Sequence, residues 1–408
     1  MKEGPPNNIK RETAGSAEEI PAEFEFHQQR FEKMAKEFNE RGLLQKVMDW
    51  RRGIGWKAQM TAMDFAHEEA LRDNADFERR RTEEFQAWER NLRSVLDHLI
   101  QRRDGKEERP RKFVLLILGG GMKGPYSAGQ ALGLHEVGLG RAFDVVVGIS
   151  AGAGTAAYFS AGKEQAQIGT SLFYEECTTK DFIDFRRLHQ IMNVDFIAKA
   201  MRHGPKTLDQ KAIMDSPQEL YVGVTDPKTF KSKFIDVKTA TPDMISPFHA
   251  SMAAPIAYRK AVEVNDGRYV DGAFDPMPVE KVIEQFQPTD ILILPNTPFD
   301  RMDAFETTPG EYLVSELIEG ASKVIPAASL GTVEKFLRIK EQIRKSLEFI
   351  QKQKGVNIGI LWPRDSGLTN VTTDAVRIKA AVLESARGVI KEFGAQQPRE
   401  IELFESKN

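Results

Sequence analysis

The chain has 408 residues, with 57 Lys and Arg against 60 Asp and Glu and a formal net charge of −3. That near balance excludes a global electrostatic pull on nucleic acid, and a single cysteine, Cys177, excludes an intrachain disulfide and reads as a packed thiol in a reducing compartment. No apolar stretch is long enough to span a bilayer, and the length suits one large core or a main domain with a smaller companion.

The opening residues Met1 to Asn8 are polar and lack the apolar heart of a signal peptide. Residues 1–20 read as a disordered tail. The expectation is a protein of the cytoplasm, or peripheral at a membrane, or exported without a cleaved signal. Residues 21–103 read as helices. Phe24, Phe31 and Phe38 recur at sevens with Met34 between them, and Leu43, Leu44, Val47 and Trp50 continue a second helix. Met60, Met63, Phe77, Phe85, Trp88, Leu92, Val95 and Leu99 mark one or two longer ones. Their polar faces mix both signs of charge, which favours packing on the main domain or on another subunit over a membrane-surface or partner-binding module. These helices are expected to lie outside the core of that domain, joined to it by a solvated linker over residues 104–111.

Phe113 to Leu118 is a continuous apolar run, short enough for a strand buried on both faces. It leads into Gly119-Gly120-Gly121-Met122-Lys123-Gly124, and Pro125 then suits a first helical turn. A glycine loop between a strand and a helix N-terminus presents free amides that hold a phosphate or an oxyanion. Gly119, Gly121 and Gly124 fit the dinucleotide spacing, but no Gly-Lys-Ser/Thr closes a P-loop. Asp144 precedes the next strand instead of ending it, so it is misplaced to hold a ribose. The oxyanion reading is therefore preferred. Val145-Val146-Val147 then runs into Gly148-Ile149-Ser150-Ala151-Gly152, a nucleophile elbow in which small residues flank a serine at a sharp strand-to-helix turn. His249 is the last histidine, so the usual order of serine, acid and then a terminal histidine is not available to Ser150.

Further along, Phe173 to His203 is apolar enough to be ordinary core or a wall for an acyl chain. Strands are expected at Leu220–Val224, Phe234–Val237, Ile291–Leu294 and Val356–Trp362. Val262-Glu263-Val264 and Arg268-Tyr269-Val270 flank the turn Asn265-Asp266-Gly267, which predicts a hairpin ending at Asp271-Gly272-Ala273. Gly331–Gln353 and Asp374–Phe393 read as helices. Alternating strands and helices mean an α/β sheet, largely parallel and covered on both faces. The histidines show no metal-ligand spacing.

Gly-Gly-Gly-Met-Lys-Gly, Gly-x-Ser-x-Gly and Asp-Gly-Ala, in this order, resemble the patatin-like phospholipases. The small-residue block Ala250 to Pro255, the stretch Asp275 to Val279 and the segment Phe182 to Leu188 are similar to bacterial members. The resemblance covers roughly residues 113–300 and extends more loosely to about 395. It implies a three-layer α/β/α fold with a mostly parallel sheet, the catalytic domain over 112–300, completing elements over 301–395 and a tail over 396–408. It implies a Ser–Asp dyad of Ser150 and Asp271, with an oxyanion hole from the amides of Gly119, Gly120, Gly121 and Met122. Lys123, Gly124, Gly148, Gly152, Gly272 and Ala273 complete the motifs, and no metal or cofactor is implied. Lys123 stands where the family usually carries Arg, and Leu118 where an acidic residue is frequent. The implied activity is cleavage of acyl esters in glycerolipids or phospholipids, with transient contact at a membrane surface. A lysophospholipase or acyltransferase on the same dyad, and a scaffold acting through the N-terminal helices, homo-oligomeric or with a partner, are the alternatives.

Overall fold

The computed structural model describes residues 75–299 apart from Phe185, Leu188, His189, Ile256, Arg259 and Asp266, then 339–394, Ile401, Leu403 and Phe404. The expected tail, the Phe24/Phe31/Phe38 stripe and the helices before Ala75 lie outside the described residues. All described residues from Asp76 onward belong to one compact unit.

Five parallel strands form the centre. β1 (Phe113–Ile117) pairs with β2 (Val145–Ile149) and β7 (Asp290–Leu294), β2 with β3 (Glu219–Thr225), and β7 with β8 (Asn357–Ile360). Beyond β3 the sheet turns antiparallel through β4 (Ser232–Asp236) and the hairpin β5 (Val262–Val264) with β6 (Gly267–Asp271). The strand order is β5-β6-β3-β2-β1-β7-β8.

Alternation along each strand divides the core in two. Phe113, Leu115, Ile117, Val146, Leu220, Val222, Val224, Leu292 and Leu294 join one apolar cluster, with residues of α2 (Pro125–Glu136), α3 (Ala151–Ala161) and α10 (Ala375–Glu392). Val114, Leu116, Val145, Val147, Ile291, Ile293, Ile358 and Ile360 join the other, with α8 (Val279–Phe286) and α9 (Ile339–Lys352). A sheet apolar on both faces needs helices on both, and this is the three-layer arrangement the sequence predicts. The expected hairpin and the strands at β3, β4, β7 and β8 are present. The helix expected at Asp374–Phe393 is α10, whose first turn is capped by the Asp374 carboxylate accepting from the amides of Val376 and Arg377.

Of the N-terminal helices only α1 (Ala75–Arg103) is described, and it packs on the main domain, as favoured, but as part of the core instead of outside it: Leu92, Val95, Leu96 and Leu99 join the first core cluster and Trp88 the second. The linker over 104–111 is mostly exposed, as expected, but charged side chains at and before its ends are paired. Arg102 Nη1 donates to Asp144 Oδ2 at 2.8 Å, and Asp144 also accepts from the Phe113 amide at 2.7 Å. Arg111 Nη1 reaches buried Asp290 at 3.0 Å, and His98 Nδ1 lies 2.7 Å from the same carboxylate. Charges that look solvent-facing in the sequence thus tie α1 to the N-terminal ends of β2 and β7. Leu99 is fully buried, so Leu99→Ala is expected to cost about 2–5 kcal/mol of stability in a denaturant titration. A cost below about 0.5 kcal/mol would mean that α1 is not part of the folding unit.

Candidate active site

The sheet itself brings Ser150 and Asp271 together. β2 runs alongside β3 until Ile149 lies opposite Gly223. The next two residues of β3, Val224 and Thr225, pair with Asp271 and Val270 of the antiparallel β6. The other edge of β3 is occupied there by β4, so β6 arrives in the lane that β2 has just left. The ends of two oppositely directed strands meet head to head, with Ser150 on one and Asp271 on the other.

At that junction Ser150 Oγ donates to Asp271 Oδ2 at 2.8 Å. Ser150 is 8% and Asp271 1% exposed. Ser150 has φ 53° and ψ −124°, a conformation costly for a residue with a side chain and found where a site requires it. The flanking glycines allow the turn. A Cβ on Gly148 would stand 2.6 Å from Ala153 Cα, and one on Gly152 would collide with the carbonyl oxygens of Ile117 and Leu118. Gly272 abuts the Gly223 carbonyl in the same way.

Both oxygens of Asp271 are engaged. Oδ1 accepts from the Ala273 amide at 2.8 Å, which turns Oδ2 toward Ser150. Burial pushes the carboxyl up to about 7, while the hydrogen bonds from Ala273 and Ser150 pull the other way. Desolvation outweighs both, leaving a carboxylate far more basic than one in water.

The glycine loop closes over the serine. A Cβ on Gly119 would stand 2.9 Å from Ser150 Cβ, so the loop backbone lies directly against Ser150. Among the described residues the amides of Gly119, Gly120 and Gly121 have no acceptor. The Met122 amide, expected to be a fourth donor, differs: it already donates to the Asn370 carbonyl at 3.1 Å. Gly124 packs against the Phe173 ring, and Lys123 Nζ donates to Thr297 Oγ1 at 2.8 Å.

Three supporting residues escaped the sequence reading. Asn296, 1% exposed, donates through Nδ2 to the Leu118 carbonyl at 2.5 Å and accepts at Oδ1 from the Ser127 amide at 2.9 Å. It joins the end of β1 to the first turn of α2, which has no side-chain cap of its own. Ser251, on α7 (Ser246–Met252), accepts from the Ser150 amide at 2.8 Å and donates to the Gly223 carbonyl at 2.6 Å. Asn370 holds Met122. Of these, only Ser251 fell within a motif that the sequence displays.

His98, with Asp290, and two further histidines are engaged elsewhere. His135 Nε2 lies 3.0 Å from the Phe159 carbonyl, and burial lowers its pKa to about 4. His249 Nε2 lies 3.1 Å from Tyr258 Oη and 3.2 Å from Asp195. No cluster able to hold a metal ion occurs among the described residues, and no helix among them is long and apolar enough to cross a membrane.

Residues 115–283 match the family model for the patatin-like phospholipases. The curated proteins yield no match. Among solved structures the chain is similar to VipD from Legionella pneumophila, at 14% identity and a TM-score of 0.34, over 70% of this chain and 67% of that one.

Proposed function

We propose that the chain, whose residues 115–283 match the family model for the patatin-like phospholipases, hydrolyses acyl esters of glycerolipids through Ser150 and Asp271. The observation that carries this reading is the buried 2.8 Å hydrogen bond from Ser150 Oγ to Asp271 Oδ2 beneath the glycine loop. Asp271 takes the hydroxyl proton as Ser150 Oγ attacks the ester carbonyl. The oxyanion that forms faces the amides of Gly119, Gly120 and Gly121, with the N-terminus of α3 adding partial positive charge. Collapse of this intermediate expels the alcohol, which recovers the proton from Asp271, and leaves the acyl group on Ser150. Water, deprotonated in turn by Asp271, attacks the acyl carbonyl; as the bond to Ser150 Oγ breaks, Asp271 returns that proton to Oγ and the fatty acid is released.

A base must be unprotonated to act. With the Asp271 carboxyl near 7, kcat/KM is expected to fall tenfold per unit below about pH 6 and to level off above about pH 8. A profile flat from pH 5 to 8 would remove Asp271 as the base. Asn296→Ala removes two of the hydrogen bonds that brace the loop, those to the Leu118 carbonyl and from the Ser127 amide, and a shift near 1 Å at a reacting group costs on the order of 10²-fold in rate. The expected outcome is that loss in kcat/KM with the melting transition still cooperative.

A panel of phosphatidylcholine, lysophosphatidylcholine, diacylglycerol and monoacylglycerol, with products resolved by mass, tests the reading. Free fatty acid is expected. Acyl transfer to added glycerol in preference to water would turn the assignment to an acyltransferase, and no turnover of any lipid would favour a scaffold.

A further inference from the structure

The first turns of α3 are closed everywhere except at Ala151 and Gly154, the two residues of this helix that are not buried. Glycine inside a helix costs about 1 kcal/mol relative to alanine, and close packing is the usual compensation. Gly152 has it, since a Cβ there would strike the end of β1. Gly154 does not: among the described residues the only atom within 4 Å of a Cβ placed on it is Met252 Sδ, at 4.0 Å. Alanine would fit there and favour the helix, so the described packing does not account for glycine.

The location distinguishes it from other open glycines. Gly388 on α10 is equally open, with nothing within 4 Å, but neither a nucleophile nor an apolar side chain adjoins it. Gly154 lies one helical turn beyond Ser150. Met252, which immediately follows the serine that holds the Ser150 amide, bounds it on one side. Ala151 precedes it by three residues on the same helix face, and lies against Gly124, on which the Phe173 ring packs. The side chains placed next to this face of α3 are apolar: Met252 beside Gly154, and Phe173 across Gly124 from Ala151, both partly buried.

We infer that Gly154 is kept without a side chain to leave room for the hydrocarbon chain of the ester attacked by Ser150, so that this position sets the range of acyl lengths accepted. The inference rests on the hydrolase reading above. The occupant is a saturated or unsaturated alkyl chain, because the boundary offers thioether, methyl and ring surface for it to bury.

The test is a graded series, Gly154→Ala, Gly154→Val and Gly154→Leu, assayed on p-nitrophenyl butyrate and p-nitrophenyl palmitate, with labelling by a short-chain fluorophosphonate in parallel. The palmitate-to-butyrate ratio of kcat/KM is expected to fall stepwise, by at least about tenfold at leucine, the scale on which a filled apolar pocket discriminates. The denaturation midpoint of Gly154→Ala should be equal to or above that of the parent, which separates a specificity effect from misfolding. A ratio unchanged across the series, with the variants folded and labelled, would overturn the inference and leave the hydrolase reading standing. No turnover and no labelling of the parent protein would overturn both.

Discussion

Asp271→Asn is expected to lower kcat/KM by on the order of 10²–10⁴ while making the protein more stable at pH 8. The rate loss is the usual range for a missing general base. Asparagine keeps the shape of the side chain and an acceptor for the Ala273 amide, but it cannot take the Ser150 proton. The gain in stability follows from linkage. The Asp271 carboxyl sits near 7 when folded against an ordinary value of 3.8. Between those values the native state holds a proton that the unfolded chain has lost, so stability falls as pH rises from about 4 to about 7. Above that window the buried carboxylate carries the net penalty of its burial, on the order of 4 kcal/mol from a shift of this size. Asparagine removes most of that penalty at pH 8 and has little effect at pH 4. Thermal melts of both proteins at the two pH values, alongside ester kinetics, read this directly. A variant less stable than the parent at pH 8 would mean that the carboxylate is well solvated or paired, and that its basicity is ordinary.

Ser150→Ala is expected to abolish turnover, by on the order of 10⁴–10⁶, the scale on which loss of a serine nucleophile is felt. Its stability should move in the opposite sense to that of Asp271→Asn. Without the hydroxyl, Asp271 loses the donor at 2.8 Å and its ionised form becomes harder to bury. The variant should therefore be about 1–3 kcal/mol less stable than the parent at pH 8, the cost of leaving a buried charged acceptor short of a partner. At pH 5, where the carboxyl is protonated, the difference should shrink. Two substitutions at one hydrogen bond, with opposite signs at high pH, distinguish a functional pair from an ordinary buried contact. Residual turnover within tenfold of the parent would exclude Ser150 as the nucleophile.

The parts of this site legible in the sequence are those whose physics is local. The elbow around Ser150 needs glycines at fixed spacing because the chain reverses within a few residues, and the apolar runs before it are strands buried on both faces. The hairpin leading to Asp271 carries its own turn residues. What was not legible depends on distant parts of the chain. Asn296 is separated from the Leu118 carbonyl by 178 residues, and nothing in Pro295-Asn296-Thr297 marks it as a brace for the glycine loop. The Met122 amide looks available in the sequence because its acceptor, Asn370, comes from the loop after β8. How deeply α1 enters the core was not legible for a similar reason: the partners of His98 and Arg102, Asp290 and Asp144, are placed opposite them only by the sheet register. The pairing of β6 with the tip of β3, which makes Ser150 and Asp271 neighbours, is likewise a property of topology.

The most direct measurement is the rate at which a fluorophosphonate labels the protein between pH 5 and pH 9, with the modified residue located by peptide mass. Labelling confined to Ser150, rising with a single proton and a midpoint near 7, and lost in both Ser150→Ala and Asp271→Asn with their folds intact, is the result expected of a Ser150–Asp271 dyad. Labelling at another residue, or a rate on Ser150 that neither pH nor Asp271→Asn alters, would contradict it.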